Sequence, residues 1–454
     1  MTKNMPHILL VNPWIHDFAA YDFWARPLGL LILAGILRSH GFATSYIDCL
    51  DRFHPKGKKT TVGARFGRGS YHKTPIPTPD CISDVKRTFS RYGVLPAWFR
   101  EDLESTRTPD LILVTSIMTY WYPGITETVA HIRTIFPNVP IILGGIYATL
   151  CADHARKHTG ADEIVSGPGE ANILSLAQRY TRVSIKPEFD PDDLDTYPYP
   201  ALNLQRKIPF VPLLTSKGCP FSCAYCASGY LFTGRKVRSP DRVVTEIEYW
   251  HRRQGVQDFV FYDDALLVDP ETHAMHLFEK IIATGLPVRF HTPNALHIRG
   301  ISNETAKLMY HAGFQTLRLG LETANFQDRT HLDGKVTETE FRRAVSCLHD
   351  AGFKKEQIGA YLLAGLPDQP LAAVERSIRI VKESGITPIL AHYTPIPHTR
   401  MWPRAVSASR YDLNSDPIFS NNAISPCNPD GFSWQILSHL KNQVSGDNQG
   451  RFFP

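Results

Sequence analysis

No stretch of this sequence is apolar for long enough to cross a bilayer. The longest such run, around residues 28–37, is interrupted by Gly35 and sits in a helical pattern. A secretory leader is missing as well: residues 1–6 are short and polar and lead directly into a strand-like segment. Neither sign of charge dominates. With 49 basic and 44 acidic side chains the formal net charge is +5, too balanced to argue for nucleic acid or an anionic membrane surface as partner. Internal repeats and low-complexity tracts are absent. The expectation is a cytoplasmic protein with no membrane or nucleic-acid partner. Its 8 cysteines are then no disulfide framework, because that compartment is reducing. Three of them fall between positions 219 and 226 and the others are scattered. Clustered thiols in reducing surroundings point to a metal or to redox chemistry.

What is present is the composition of folded domains, 43% hydrophobic and 20% charged, over 454 residues, a length that suits two cores. Residues 1–185 alternate strand and helix: strands at 7–12, 43–50, 111–116, 140–143 and 161–165, helices at 27–40, 123–136, 148–158 and 170–179. That alternation predicts a doubly wound parallel sheet of flavodoxin or Rossmann type, whose ligands bind outside the carboxyl ends of the strands. Residues 186–205 read as a linker, since Tyr-Pro-Tyr-Pro at 197–200 continues neither helix nor central strand. Residues 206–403 alternate again, with strands at 210–215, 258–262, 288–292, 316–321, 357–364 and 388–393 and helices at 240–254, 271–284, 303–312, 338–351 and 371–384. Six such units suit a partial (β/α)6 barrel of TIM-like type. A tail over 404–454 carries one helix, at 433–444. The stretch 54–79 holds Lys56, Lys58, Lys59, Arg65, Arg68 and Lys73 among glycines and prolines and reads as a solvated loop; a lid over the sheet edge is the functional alternative.

The chemistry-bearing segment follows the first barrel strand: Cys219, Cys223 and Cys226 in a Cys-x3-Cys-x2-Cys spacing. Close spacing on one loop lets several thiolates reach one iron–sulfur cluster. A four-iron cube held by three cysteines leaves one iron open to bind a small molecule. A zinc site would want a fourth protein ligand, and the next histidine, His251, lies far along the following helix.

With Tyr225 just before its last cysteine, this segment resembles the radical S-adenosylmethionine superfamily, and the resemblance extends over roughly residues 209–402. It implies that the open iron is chelated by the amine and carboxylate of S-adenosylmethionine, and that reduction yields a 5′-deoxyadenosyl radical. It implies contacts to S-adenosylmethionine from Tyr225 and from strand ends: Asp263 in Phe-Tyr-Asp-Asp, Asn294 in Thr-Pro-Asn, Glu322 in Gly-Leu-Glu-Thr, and Gly365 in Gly-Leu-Pro. Barrel-strand carboxyl ends are where such enzymes keep their chemistry. The Gly-Gly-Glu often found after the second strand is not here. Read singly, Asp263 could cap a helix and Glu322 could be a surface carboxylate.

Residues 1–185 resemble the cobalamin-binding domain that precedes many such barrels, through Asn12-Pro13, the run 26–30, Thr119 to Pro123 and Gly144 to Thr149. The resemblance implies cobalamin contacts at Trp14, Ser116, Gly144, Gly145 and Gly167. No Asp-x-His-x-x-Gly occurs, so no histidine is marked as lower ligand to cobalt; His16 follows the first strand and reads as a surface histidine. The implied cofactors are a [4Fe–4S] cluster, S-adenosylmethionine and cobalamin. The implied function is a cobalamin-dependent radical methyltransferase acting on an unactivated carbon of a small molecule or peptide, reduced by a donor such as flavodoxin or ferredoxin. The alternatives are a cyclase or rearrangement enzyme of the anaerobic porphyrin-cyclase type, a methylthiotransferase (for which only Cys49, Cys81 and Cys151 could supply a second cluster), and a non-enzymatic cobalamin-binding protein.

Overall fold

The computed structural model describes residues 5–327, 329, 331–427 and 434–445. The chain divides into two compact units, Met1–Pro212 with Asp416–Ile418, and Leu213–Ser415 with Phe419–Pro454. Residues 1–4 of the expected first domain, and 428–433 and 446–454 of the expected tail, lie outside the described residues. Among the described residues no helix is long and apolar enough to cross a membrane.

In the first unit the runs Ile-Leu-Leu-Val and Leu-Ile-Leu-Val are too continuously apolar for a half-wet strand, and both are fully buried. They are the centres of β1 (His7–Asn12) and β6 (Leu111–Val114). Between these come β2 (Ile15–Asp17), α1 (Leu28–Ser39), β3 (Ala43–Asp48), β4 (Lys73–Pro75), β5 (Ser90–Tyr92) and α2 (Pro96–Glu104). After β6 follow α3 (Tyr122–Ile135), β7 (Ile141–Leu143), α4 (Ile146–Leu150), α5 (Ala152–His158), β8 (Glu163–Ile164) and α6 (Ile173–Thr181). The main sheet is parallel, in the order β3-β1-β6-β7-β8. The chain winds outward from β1 to β3 and then returns past β1 to β6. The topological switch therefore lies between β1 and β6, where doubly wound sheets open a crevice at the carboxyl edge.

The stretch read as one solvated loop is only partly so. Lys56, Lys58, Lys59 and Arg65 are exposed. But Arg52 and His54 are buried, and Lys73–Pro75 joins a three-stranded antiparallel sheet in the order β2-β5-β4. A buried ion pair at 2.8 Å from Arg52 Nε to Asp22 anchors its start. Pairing across long sequence separations leaves no periodicity to read, which is why this sheet goes beyond the sequence reading.

A six-stranded sheet starts at the boundary of the two units, with Val211–Leu213 as its first strand, and each strand lies beside its sequence neighbour in the sheet as in a partial barrel. The elements from there on are β9 (Val211–Leu213), β10 (Ser216–Lys217), α7 (Ser228–Leu231), β11 (Lys236–Val237), α8 (Pro240–Gln254), β12 (Asp258–Phe261), α9 (Ala274–Thr284) and β13 (Arg289–His291). Then come α10 (Asn303–Ala312), β14 (Phe314–Glu322), α11 (Glu338–Asp350), β15 (Ile358–Ala364), α12 (Leu371–Glu383), β16 (Thr387–His392), α13 (Trp402–Ala408) and α14 (Trp434–Ser445). Helix ends carry local stop and start signals. Ser239 caps α8 ahead of Pro240, left-handed Gly255 ends it, and Thr337 with Glu340 forms a capping box at α11. Phe261, Phe278, Phe290 and Phe314 pack ring against ring in the core under β12–β14.

Candidate functional site

The cysteine loop leaves β9 through a short clip. Ser216 and Lys217 pair antiparallel with Val237 and Lys236. Gly218 has φ +85°, and a Cβ there would stand 2.2 Å from the Gly234 carbonyl, so only glycine lets the loop cross its own return strand. Asp263, at the end of β12, accepts from Thr215 Oγ1 at 2.7 Å and Ser216 Oγ at 2.6 Å. This carboxylate is wholly buried and holds the root of the loop. Further along, Ala224 N–H donates to the Leu332 carbonyl, and Met401 N–H donates to the Ala224 carbonyl, stapling the loop to two later segments.

Of the three thiols, Cys223 is buried, Cys219 half-buried and Cys226 exposed. Burial pushes the Cys219 and Cys226 thiols up, and each is pushed further by the charge of neighbouring thiolates. Three thiols between positions 219 and 226, on one loop stapled to later segments, are a donor set that fits a metal centre. Among the described residues no three His, Cys, Asp or Glu side chains meet around the place of one ion. An iron–sulfur cube, in which each cysteine ligates a different iron, suits thiols spaced around a larger body. His297 stands at the loop's far side, Nε2 4.0 Å from Cys219 Sγ, its ring stacked on Phe221 at 4.3 Å. Burial and the charges of Lys335 and Arg235 push its pKa down to about 3, leaving a neutral imidazole beside the thiol.

Glu322 ends β14 at φ +62°, just past a register shift between Gly320 and Glu322. The irregularity sets a buried carboxylate against Tyr225 and Lys335. Burial raises its pKa and Lys335 pulls it back down. Lys335 Nζ donates to Tyr225 OH at 3.2 Å. Thus Tyr225, on the cysteine loop, meets Lys335, which no motif marks, and buried Glu322 ends the strand beside them. Asn294 is exposed and donates to the Tyr262 carbonyl at 2.9 Å and the Asp263 carbonyl at 3.3 Å, tying the ends of β12 and β13. Gly365 turns at φ +89° after β15, its N–H donating to Gln369 Oε1 at 2.8 Å, with open space where a side chain would stand.

In the first unit a small pocket lies at the switch point between β1 and β6. Asn12, Pro13, Ile15, Thr115, Ser116 and Trp121 are among its lining residues. Trp14 contributes to that lining, yet its ring is 1% exposed, donates from Nε1 to the Val94 carbonyl at 2.8 Å, and meets Phe99 edge-on. The ring is therefore core. Ser116 knots the edge together: Oγ donates to the Gly144 carbonyl at 2.7 Å and accepts from Ala148 N–H at 3.2 Å. Gly145, at φ +99°, packs so closely that a Cβ would stand 2.3 Å from the Ser116 carbonyl. Gly167 N–H donates to Thr149 Oγ1 at 2.9 Å, tying the end of β8 to α4. His16 is not the surface histidine the sequence suggests. It is buried, with Nε2 2.7 Å from Glu127, because β2 carries it under α3. Met118 and Ile146, after β6 and β7, are exposed apolar side chains.

Comparisons with known proteins match these two places. The model of the radical SAM superfamily matches residues 213–394, and that of the B12 binding domain residues 94–177. An uncharacterized methyltransferase of Pyrococcus horikoshii is 25% identical over 66% of this chain and 70% of its own length. An anaerobic magnesium-protoporphyrin IX monomethyl ester cyclase of Cereibacter sphaeroides is 25% identical over 65% of this chain, but the match spans only 53% of that relative. In fold, the chain is similar to the radical S-adenosylmethionine methyltransferase TsrM of Kitasatospora setae, with TM-score 0.69 at 16% identity, covering 99% of this chain and 93% of that one.

Proposed function

On the premise that this chain belongs to the radical S-adenosylmethionine enzymes that carry a B12-binding domain, we propose that it is a cobalamin-dependent methyltransferase acting on an unactivated carbon. Its cofactors are a [4Fe–4S] cluster, S-adenosylmethionine and cobalamin. When bound, they supply an electron, a radical source and a methyl carrier, chemistry that no side chain provides. Cys219, Cys223 and Cys226 hold the cluster. Glu322, Tyr225 and Lys335 form the wall beside it that orients S-adenosylmethionine, and Asn294 and Gly365 shape neighbouring strand ends. Asp263 acts one step back, fixing the loop on which the cysteines stand. At the first sheet's switch point, Ser116, Gly144, Gly145 and Gly167 shape the edge that receives cobalamin, without a histidine ligand from His16. The observation that carries this reading is the set of three thiols on one loop after the first barrel strand, with Tyr225 bonded to Lys335 and Glu322 buried at the end of β14. An electron donor of flavodoxin or ferredoxin type completes the system.

A cyclase reading is favoured by the equal identity to the Cereibacter enzyme. Anaerobic reconstitution with iron, sulfide and cobalamin, followed by reduction in the presence of methyl-labelled S-adenosylmethionine, decides between them. Methyl transfer predicts label on bound cobalamin together with S-adenosylhomocysteine and 5′-deoxyadenosine. A cyclase yields 5′-deoxyadenosine with no labelled cobalamin. Absence of every product overturns both readings.

A further inference from the structure

His297 stands on a fixed root. Leu296, just before it, bridges to Leu319 of β14: its N–H donates to the Arg318 carbonyl at 2.7 Å, and its carbonyl accepts from Gly320 N–H at 3.1 Å. Just after it, a tight turn runs over Ile298–Gly300, with Ile298 buried. A Cβ on Gly300 would stand 2.2 Å from the Leu267 carbonyl, so the turn lies flush against its neighbour. From this root the side chain meets the cysteine loop twice. Its ring stacks on Phe221, which lies between Cys219 and Cys223, and Nε2 faces Cys219 Sγ at 4.0 Å.

A thiolate bonded to iron has no proton to give, so only Nε2–H can fill this contact, with sulfur accepting. An N–H aimed at a ligating sulfur stabilises negative charge there, and reduction adds one negative charge to a cluster and its ligands. The ring is half-buried, which strengthens the effect because less water screens it. We propose that His297 is a positioning residue for electron entry: its Nε2–H donates to the Cys219 sulfur of the loaded cluster and raises the reduction potential. The step it favours is the uptake of one electron from an external donor, with no bond made or broken and no proton moved. Phe221 holds the ring in place for this bond. The inference rests on the cysteine loop carrying an iron–sulfur cluster.

The test is a potentiometric titration of the full chain with its cluster reconstituted, in the absence of S-adenosylmethionine. Dithionite is the reductant, and the reduced cluster is followed by electron paramagnetic resonance, with iron content measured alongside. H297F keeps a ring against Phe221 and removes the N–H. H297Q keeps a donor at the place of Nε2 and removes the ring. H297F should make reduction about tenfold less favourable, a potential about 59 mV lower for one electron. H297Q should stay within about threefold of wild type. An H297F cluster that is reduced within about threefold as readily as wild type, or more readily, overturns the assignment. So does an H297Q cluster shifted as far as H297F, which would make the packing of the ring, and not its N–H, the cause. A variant that loads no iron makes His297 a residue of cluster assembly and overturns the assignment too. Wild type that takes up no iron overturns the reading of the loop, and this assignment with it.

Discussion

Glu322 holds a left-handed backbone conformation that β-branched and long side chains seldom adopt, at the end of an otherwise regular strand. Such strain persists where the surroundings over-determine it, and it clusters at functional sites. E322G should therefore be more stable than E322A by about 1 kcal/mol in denaturant titration, since only glycine takes that conformation freely. Both variants should lose S-adenosylmethionine binding. Equal stabilities would show that the backbone there is unstrained. Glu127 offers a pH-dependent counterpart in the first unit. Burial alone would raise it, but hydrogen bonds from His16 and Arg91 bring it down to about 2 from its ordinary 4.5. Because the folded-state value is depressed, this contribution is complete above the unfolded value and disappears as pH falls through about 2. E127Q should be less stable than wild type at neutral pH by about 1–3 kcal/mol. The gap should close between about pH 5 and pH 2. A gap independent of pH would mean that packing, and not charge, is what the substitution removes. Neither residue's setting was legible in the sequence. Glu322 could be seen as a strand-end carboxylate, but its partners come from positions 225 and 335. His16 looked like a surface group because its partner is far along the chain.

At the scale of elements, the loops after β6 and β7 act as one piece. Ser116 and Gly145 approach within the space a single methyl group would need. G145A forces apart the ends of β6 and β7, and overpacking of this kind costs about 1–3 kcal/mol. The expected outcome is weakened retention of cobalamin, followed by absorbance after desalting, with iron content unchanged. Retention equal to wild type would remove this edge from the cofactor site. The capping box of α11 is a second such device, because it lies two residues beyond Lys335. T337A should cost about 1 kcal/mol of stability. Element boundaries of this kind were readable in advance. Helices at 240–254 and 303–312 begin at Ser-Pro or Ser-Asn and end at glycine, and they form there. The antiparallel sheet of β2, β4 and β5 was not readable, since three-residue strands have too few side chains to show alternation.

At the scale of the whole molecule, the residues proposed for the two cofactor sites lie in separate units. They should therefore load independently. C223S in the full chain is expected to abolish iron binding and leave cobalamin retention intact, the reverse of G145A. Loss of both cofactors in either variant would show that one site forms only when the other does. The late segment Asp416–Ile418 belongs with the first unit, where Asp416 accepts from Tyr122 OH at 2.8 Å. The chain thus returns to its first unit after the barrel, a crossing that composition alone does not announce.

Local patterning was enough to place the alternating strands and helices, the two α/β units and the three thiols on one loop. Those features depend on neighbours a few residues away: apolar runs, caps, and the spacing of cysteines. The directions of the functional side chains were decided by packing between segments distant in sequence. Trp14 turned into the core, Asp263 took the root of the cysteine loop, His16 found Glu127, and Lys335 was brought to Tyr225. A buried charge goes where another group can answer it, and which group that is depends on the fold. The cradle of three cysteines could be read from the chain as written. The contact of Lys335 with Tyr225 beside it exists only once a segment some hundred residues later has folded against that loop.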